Sequence, residues 1–254
     1  MKAMILAAGR GERMRPLTDT CPKPLLQVRG RPLIVWHILN LVKAGMPDIV
    51  INHAHLGDLI EQALGDGSQF GARIRYSPEG TALETAGGIA KALPLLCDNE
   101  DDPFLVVSGD IYVPHFHFAD CKNTLEDKDM WGNPHPVDQR DVAWLYMVKN
   151  PSFHPQGDFA LSLMGLRNEG EPKFTFANIG VYRPEMFKDI RPGEHAKLAP
   201  LLRAYADRGQ LGGELYRGEW HNLGTPEQLA ALNAPHPKAS VNRHNPQTKQ
   251  GNAP

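Results

Sequence analysis

The sequence predicts an α/β fold with a mixed, mostly parallel central sheet flanked by helices, and three observations predict it. Between residues 2 and 107, short apolar runs alternate with segments of helical period, the pattern of strands joined by right-handed helical crossovers. The apolar runs end in glycine-bearing turns, as strands entering loops do. The chain has 254 residues, 41% hydrophobic and 22% charged, which is enough apolar material for a globular core.

Lys2 to Ala8 is a compact apolar run stopped by Gly9-Arg10-Gly11, a buried strand leading into a glycine loop. Pro32 to Ala44 carries Ile34, Ile38, Leu41 and Val42 at helical spacing, with proline near the start and Gly45 at the end. Asp48 to His53 is a second strand, Leu56 to Leu64 a second helix closed by Gly65, and Ala72 to Tyr76 an alternating strand. Thr85 to Leu96 has helical character despite Gly87 and Gly88, and Phe104 to Val107 is an apolar strand ending at Ser108-Gly109-Asp110. Beyond that point the texture turns to β. Val142, Trp144, Tyr146 and Val148 alternate, Phe159 to Leu166 and Phe174 to Tyr182 are further strands, and Leu198 to Asp207 is a helix. Residues 123–140, rich in charge, proline, glycine and asparagine, predict a loop insertion. Residues 233–254 predict a disordered tail, since they hold too little apolar mass to offset the entropy of ordering. Residues 1–232 therefore form one domain, with no internal repeat.

The charge balance excludes several function classes. Twenty-seven Lys and Arg stand against 29 Asp and Glu, a net charge of -2, so no global field draws in nucleic acid or anionic lipid. Three scattered cysteines, Cys21, Cys97 and Cys121, suit neither a disulfide framework nor a thiolate metal site and read as reduced cytoplasmic thiols. No apolar stretch approaches the length of a membrane span, and no signal peptide is expected.

The first chemistry-bearing segment is Leu6-Ala-Ala-Gly-Arg-Gly-Glu-Arg-Met-Arg-Pro-Leu-Thr18, followed by Pro22-Lys23-Pro24. Glycines at 9 and 11 let backbone approach a ligand, while Arg13, Arg15 and Lys23 add fixed positive charge. The dinucleotide fingerprint fails at Met14, and no Gly-Lys-Ser/Thr follows for a P-loop. By itself the segment also fits an ordinary glycine turn with surface arginines.

The wider context resembles one family. LAAGRGERMRPLT with CPKPLL is similar to the signature loop of the sugar-1-phosphate nucleotidyltransferases. The likeness continues through INHAHLGDLIEQALGDGSQFGARIRYSPEG, LETAGGI, the SGD at 108–110, NPSFHPQGDFAL, ANIGVY and WHNLGTPEQL, and spans residues 1 to about 232. It implies a Rossmann-like nucleotidyltransferase fold and Mg²⁺-dependent transfer of a nucleotidyl group from a nucleoside triphosphate to a sugar 1-phosphate, with pyrophosphate leaving. The run from INHAHLG to LETAGGI is most similar to members using UTP and N-acetylmuramic acid 1-phosphate, which implies a role in recycling cell-wall sugars. Other pairs remain open: GTP with mannose 1-phosphate, or dTTP or UTP with glucose 1-phosphate. A non-catalytic sugar-nucleotide-binding regulator is a further alternative.

Carried over position by position, the resemblance implies nucleotide contacts from Leu6, Ala8, Gly9, Gly11, Glu12, Arg13, Lys23, Glu79 and Gly80. It implies sugar contacts from Thr85, Gly87, Asp158 and Asn178, and catalytic roles for Arg13, Lys23 and Asp110. Asp110 is the leading Mg²⁺ ligand, although residue type alone also fits a turn-capping aspartate. The family's second metal ligand is usually an aspartate before Gly-Thr-Pro, where this chain has Asn222. An amide there leaves three readings: a working enzyme with an amide ligand, a weakened enzyme, or a binding protein. His53-x-His55 and His115-x-His117 suit zinc if extended, but each lacks a third ligand at motif spacing. Trp36, Trp144 and Trp220 are expected in the core or in a pocket wall. Oligomeric state is not legible.

Overall fold

The fold was described from a computed structural model, in which residues 1–125 and 140–234 are the described residues. Most of the insertion predicted at 123–140, and the tail beyond residue 234, lie outside them.

The first half follows the predicted alternation. β1 (Ala3–Leu6) leads through the short ribbon β2 (Gln27–Val28) and β3 (Arg31–Pro32) into α1 (Leu33–Lys43). Then come β4 (Asp48–His53), α2 (Gly57–Leu64), β5 (Arg73–Pro78), α3 (Glu84–Leu96) and β6 (Phe104–Ser108). β1 lies between β4 and β6, parallel to both, and β5 extends the sheet beyond β4. Register places Leu6 beside Asn52 on one flank and Ser108 on the other, so three strands end side by side at one carboxyl edge. Ligands of open α/β sheets bind at such an edge.

The central strands β1, β4 and β6 carry apolar runs because both faces of the sheet are covered there. Ile5, Ile49, Ile51, Leu105 and Val107 pack with Ile34 and Ile38 of α1. Met4, Val50 and Val106, one residue out of phase, pack with Ile89 of α3 on the opposite face.

The second half turns the sheet antiparallel. β7 (Ile111–Tyr112) precedes β8 (Ala143–Val148), β9 (Phe159–Ser162), β10 (Gly165–Arg167) and β11 (Lys173–Tyr182). α4 (Leu198–Arg208), β12 (Leu211–Leu215), β13 (His221–Asn222) and α5 (Pro226–Asn233) complete the described chain. β11 runs antiparallel to β6 over Ile179 to Tyr182, and its first residues, Lys173 and Phe174, pair with β9. β8 covers its other edge, antiparallel, and β12 adds to β8 in parallel.

Two expectations need correction. The single strand predicted over Phe159 to Leu166 is a hairpin, with Leu163 and Met164 exposed at its tip and Gly165 at φ 86°. The apolar run hides the turn from a pattern reading, while Ser162 Oγ fixes it by accepting from Met164 N at 3.2 Å. Asn233, placed in the tail, is instead the last residue of α5 and donates to Gln27 O at 2.8 Å. α5 itself starts at a legible capping box, in which Thr225 and Gln228 cap each other's backbone N–H with Pro226 at the first turn.

α1 also holds the edge in place. His37 is fully buried and its Nε2–H donates to Ile111 O at 2.8 Å, anchoring the start of β7 one residue after Asp110. Burial holds the imidazole neutral and lowers its pKa to about 4. Because the unfolded chain binds a proton at His37 near pH 6.5 and the folded chain does not, stability declines as pH falls from about 6.5 to 4. Urea unfolding across that window should therefore show a shallower loss for His37→Gln, whose amide can still donate, than for the wild type.

Candidate active site

The residues following β1 fold back over the carboxyl edge. Ala7 N donates to the buried Asn52 Oδ1 at 2.9 Å, pinning the start of the loop to β4. Gly11 takes φ 70°, a left-handed conformation that a side chain rarely adopts. Its carbonyl accepts from Thr18 Oγ1 at 2.9 Å and from Met14 N at 2.8 Å, closing the loop on itself. This tight turn packs against the stem of Lys23, whose side chain is only 10% exposed. The Nζ of Lys23 meets Asp110 Oδ2 at 2.7 Å, and the other carboxylate oxygen accepts from Ser108 Oγ at 2.8 Å. The loop's one deeply held cation is thus joined to the end of β6.

A cleft of about 440 Å³ opens between these groups. Among the predicted nucleotide residues, Leu6, Ala8, Gly9, Gly11, Glu12, Arg13, Lys23 and Glu79 all line it, as do Asp110 and the predicted sugar residue Thr85. Glu12 stands at the rim, ion-paired with Arg10 at 2.7 Å. Both carboxylate oxygens of Glu79 are engaged inside the protein, one with Asn52 Nδ2 at 2.6 Å and the other with Leu83 N at 2.8 Å. Glu79 therefore shapes the wall through its neighbours. Gly80 occupies a turn at φ 69° and Gly87 lies within α3; neither lines the cleft. A Cβ at Gly87 would stand 2.2 Å from Glu194 O, so the glycine admits the strand-like segment before α4.

The cleft continues away from the loop. A chamber of about 320 Å³ shares Leu6, Thr85 and Ser108 with it, and shares Phe176, Asn178 and Leu202 with a distal chamber of about 380 Å³. Asn178 sits in β11 at φ 59°, where the register shifts between Phe176 and Gly180. Strain of this kind in a non-glycine residue gathers at functional sites. Asp158 borders the distal chamber, but its carboxylate accepts from Phe176 N at 2.8 Å and contacts His154 Nε2 at 3.1 Å. Trp220 contributes wall, its indole N–H held by Ala177 O at 2.9 Å.

Asn222 borders the same chamber from β13, which pairs antiparallel with β7. Leu223 N donates to Asp110 O at 3.0 Å, so Asn222 and Asp110 occupy facing segments of one ribbon. The amide oxygen of Asn222 is buried and has no hydrogen-bond donor among the described residues. A buried acceptor without a donor is costly unless something polar fills its place, and a hard cation or its bound water suits it.

His53 and His55 are engaged within the protein, and the second pair is exposed. His53 Nε2 contacts Glu61 Oε1 at 2.6 Å, His55 donates to Thr18 O at 2.9 Å, and His115 lies exposed, 3.9 Å from Glu219. Among the described residues no three His, Cys, Asp or Glu side chains gather closely enough to hold a metal together. Trp36 braces β2 through Val28 O at 3.0 Å, and Trp144 packs against the core. All three cysteines are free, and among the described residues no helix is long and apolar enough to cross a membrane.

Residues 2–131 match the profile of the family described as Nucleotidyl transferase. Over 238 residues, covering 92% of this chain and 97% of the relative, the sequence is 50% identical to N-acetylmuramate alpha-1-phosphate uridylyltransferase of Neisseria meningitidis serogroup B. The chain belongs to the sugar-1-phosphate nucleotidyltransferases. It is 33% identical to the Caulobacter vibrioides N-acetylmuramate alpha-1-phosphate uridylyltransferase, over 91% of this chain and 95% of the relative. The fold matches a Bacillus anthracis crystal structure assigned as a glucose-1-phosphate thymidylyltransferase in complex with sucrose, at a TM-score of 0.73 and 22% identity, covering 92% and 94% of the two chains.

Asn52 and Ser108 line the cleft and lie inside quoted motifs, but the motifs alone give neither of them a role. Asn52 carries a signal, being an amide that directly follows the buried apolar run Ile49–Ile51 in β4. Replacing it by alanine strands Ala7 N and Glu79 Oε1, so Asn52→Ala should lower unfolding free energy by about 2–4 kcal/mol. A urea midpoint shift worth less than about 1 kcal/mol would mean that the two groups find other partners.

Proposed function

We propose that this nucleotidyltransferase transfers UMP from UTP to N-acetylmuramic acid 1-phosphate, releasing pyrophosphate, with Mg²⁺ as its cofactor. The observation that carries this reading is the 50% identity to the Neisseria enzyme over nearly the whole of both chains. In the reaction a phosphate oxygen of the sugar 1-phosphate forms a bond to the α-phosphorus of UTP. The bond from that phosphorus to the bridging oxygen breaks, and the electron pair leaves with pyrophosphate. The nucleophile is already anionic at neutral pH, so the chain supplies no general base; its task is to hold like charges together in line.

Lys23 and Arg13 carry that task. Both line the cleft, and the Lys23 ammonium is held in a fixed direction by Asp110 and the packed glycine loop. A preorganised cation costs little reorganisation when charge develops on the transferring group. Thr85 and Asn178 lie further along the cleft, where a sugar would rest. Asp110 and Asn222 offer a carboxylate and an unpartnered amide oxygen to a divalent ion, which when bound adds charge neutralisation at the phosphates. UTP and an anionic sugar phosphate as substrates suit a cytoplasmic enzyme that returns cell-wall sugar to nucleotide-linked form.

Purified protein with Mg²⁺, assayed for pyrophosphate release over several nucleoside triphosphates and sugar 1-phosphates, should respond to UTP with the muramic sugar. Signal with another pair would replace the substrates. Because Asn222 stands where the family usually has aspartate, a binding protein without turnover is the second reading, and nucleotide binding with no release under Mg²⁺ or Mn²⁺ would establish it. Lys23→Ala should lower kcat by about a hundredfold or more while a cooperative unfolding transition persists. Asn222→Asp, which restores a formal charge, should reach half-saturation at lower Mg²⁺ in both a direct binding titration and the rate assay.

A further inference from the structure

The sugar in this reading differs from its commoner relative, N-acetylglucosamine, by a lactyl ether that bears a methyl group and a carboxylate. A protein that selects it must supply a cation or several N–H donors at the far end of the acceptor pocket, and apolar surface for the methyl.

The distal chamber has such an end. Phe153, Phe159 and Leu202 give it an apolar wall, and Arg203, on α4, is the only lysine or arginine among its lining residues. The guanidinium carbon of Arg203 lies 5.3 Å from the centroid of the Phe159 ring. One nitrogen, Nη1, donates to Asn168 Oδ1 at 3.3 Å and to Asp158 O at 3.5 Å. Neither acceptor is charged. Nε and Nη2 have no partner among the described residues, and Arg203 forms no ion pair there. The nearest carboxylate of the chamber, that of Asp158, is turned to Phe176 N and His154. The Nε and Nη2 edge is the fork that accepts a carboxylate through two parallel bonds. An arginine stacked on an aromatic ring, tied at one nitrogen and open at the other two, is directed and still available.

We infer that Arg203 is a specificity-determining residue that binds the carboxylate of the lactyl group through Nε and Nη2, with the lactyl methyl against Phe153 and Phe159. This deepens the proposed function and rests on it.

The test compares wild type, Arg203→Gln and Arg203→Lys, each with UTP and either N-acetylmuramic acid 1-phosphate or N-acetylglucosamine 1-phosphate, by pyrophosphate release. The ratio of kcat/KM for the muramic sugar over the glucosamine sugar should fall roughly ten- to hundredfold in Arg203→Gln, as expected for losing a charge-assisted pair. The loss should be carried by KM for the muramic sugar. Arg203→Lys, which keeps the charge without the fork, should fall between. A ratio unmoved in both variants, or an equal loss on both sugars, overturns the inference while leaving the proposed function standing. A wild-type enzyme with no preference for the muramic sugar overturns the proposed function itself, and the inference with it. Thermal unfolding of each variant identifies a loss that comes from the missing stack on Phe159, and if Arg203→Gln does not fold, the lysine variant decides.

Discussion

The Lys23–Asp110 contact, 2.7 Å long, is the constraint around which the site is organised. It joins two segments far apart in sequence, the end of the glycine loop and the end of β6, and so fixes the distance across the cleft. A lysine this enclosed needs a partner, since an unpaired ammonium in such surroundings is expensive. The carboxylate keeps the charge in place before any substrate arrives. On the proposed function, a triphosphate entering the cleft would let the lysine exchange one anion for another, a smaller change than stripping an ammonium of water. Asp110 would then be released in the same exchange and would offer its carboxylate to the divalent ion.

That pair would mean little without the edge beneath it. Leu6, Asn52 and Ser108 are neighbours because β1, β4 and β6 are parallel and in register. Each then does a different job: Leu6 forms cleft floor, Asn52 clamps Ala7 to Glu79, and Ser108 fixes the rotation of the Asp110 carboxylate. The buried His37 adds a support from α1 to the start of β7. The chemistry is therefore held by strand ends and one helix, with the loop supplying charge and backbone.

Much of this was legible in the sequence. Periodicity locates β1, β4, β6 and the helices, because strands buried on both faces read as apolar runs, and locates β5 by its alternation at the sheet edge. The glycine loop, Lys23 and Asp110 are legible through the family resemblance, since by residue type alone the loop also fits a glycine turn and Asp110 a capping aspartate. The β-rich half was less so. The hairpin at 159–167 hides within apolar residues, two of which are simply exposed at its tip. β12 is not legible because Gly212 and Gly213 carry no strand signal, and the two-residue strands β7 and β13 are too short to show a period. Arg203 cannot be picked from a chain with many arginines, since its standing comes from the Phe159 ring beneath it and from having no ion-pair partner among the described residues.

β11 belongs to two constructions at once. Its last residues hydrogen-bond to β6, whose end carries Ser108 and leads to Asp110, while its first residues hold β9 and thus the wall around Phe159. The break in register near Asn178 lies between them. On the proposed function, donor and acceptor halves are thus joined by one strand with a joint in the middle. Evolution could rebuild the acceptor wall on the near side of that joint, strand by strand, while the phosphate-handling edge stayed as it was. A single scaffold of this kind can serve many sugars without relearning how to move a nucleotide.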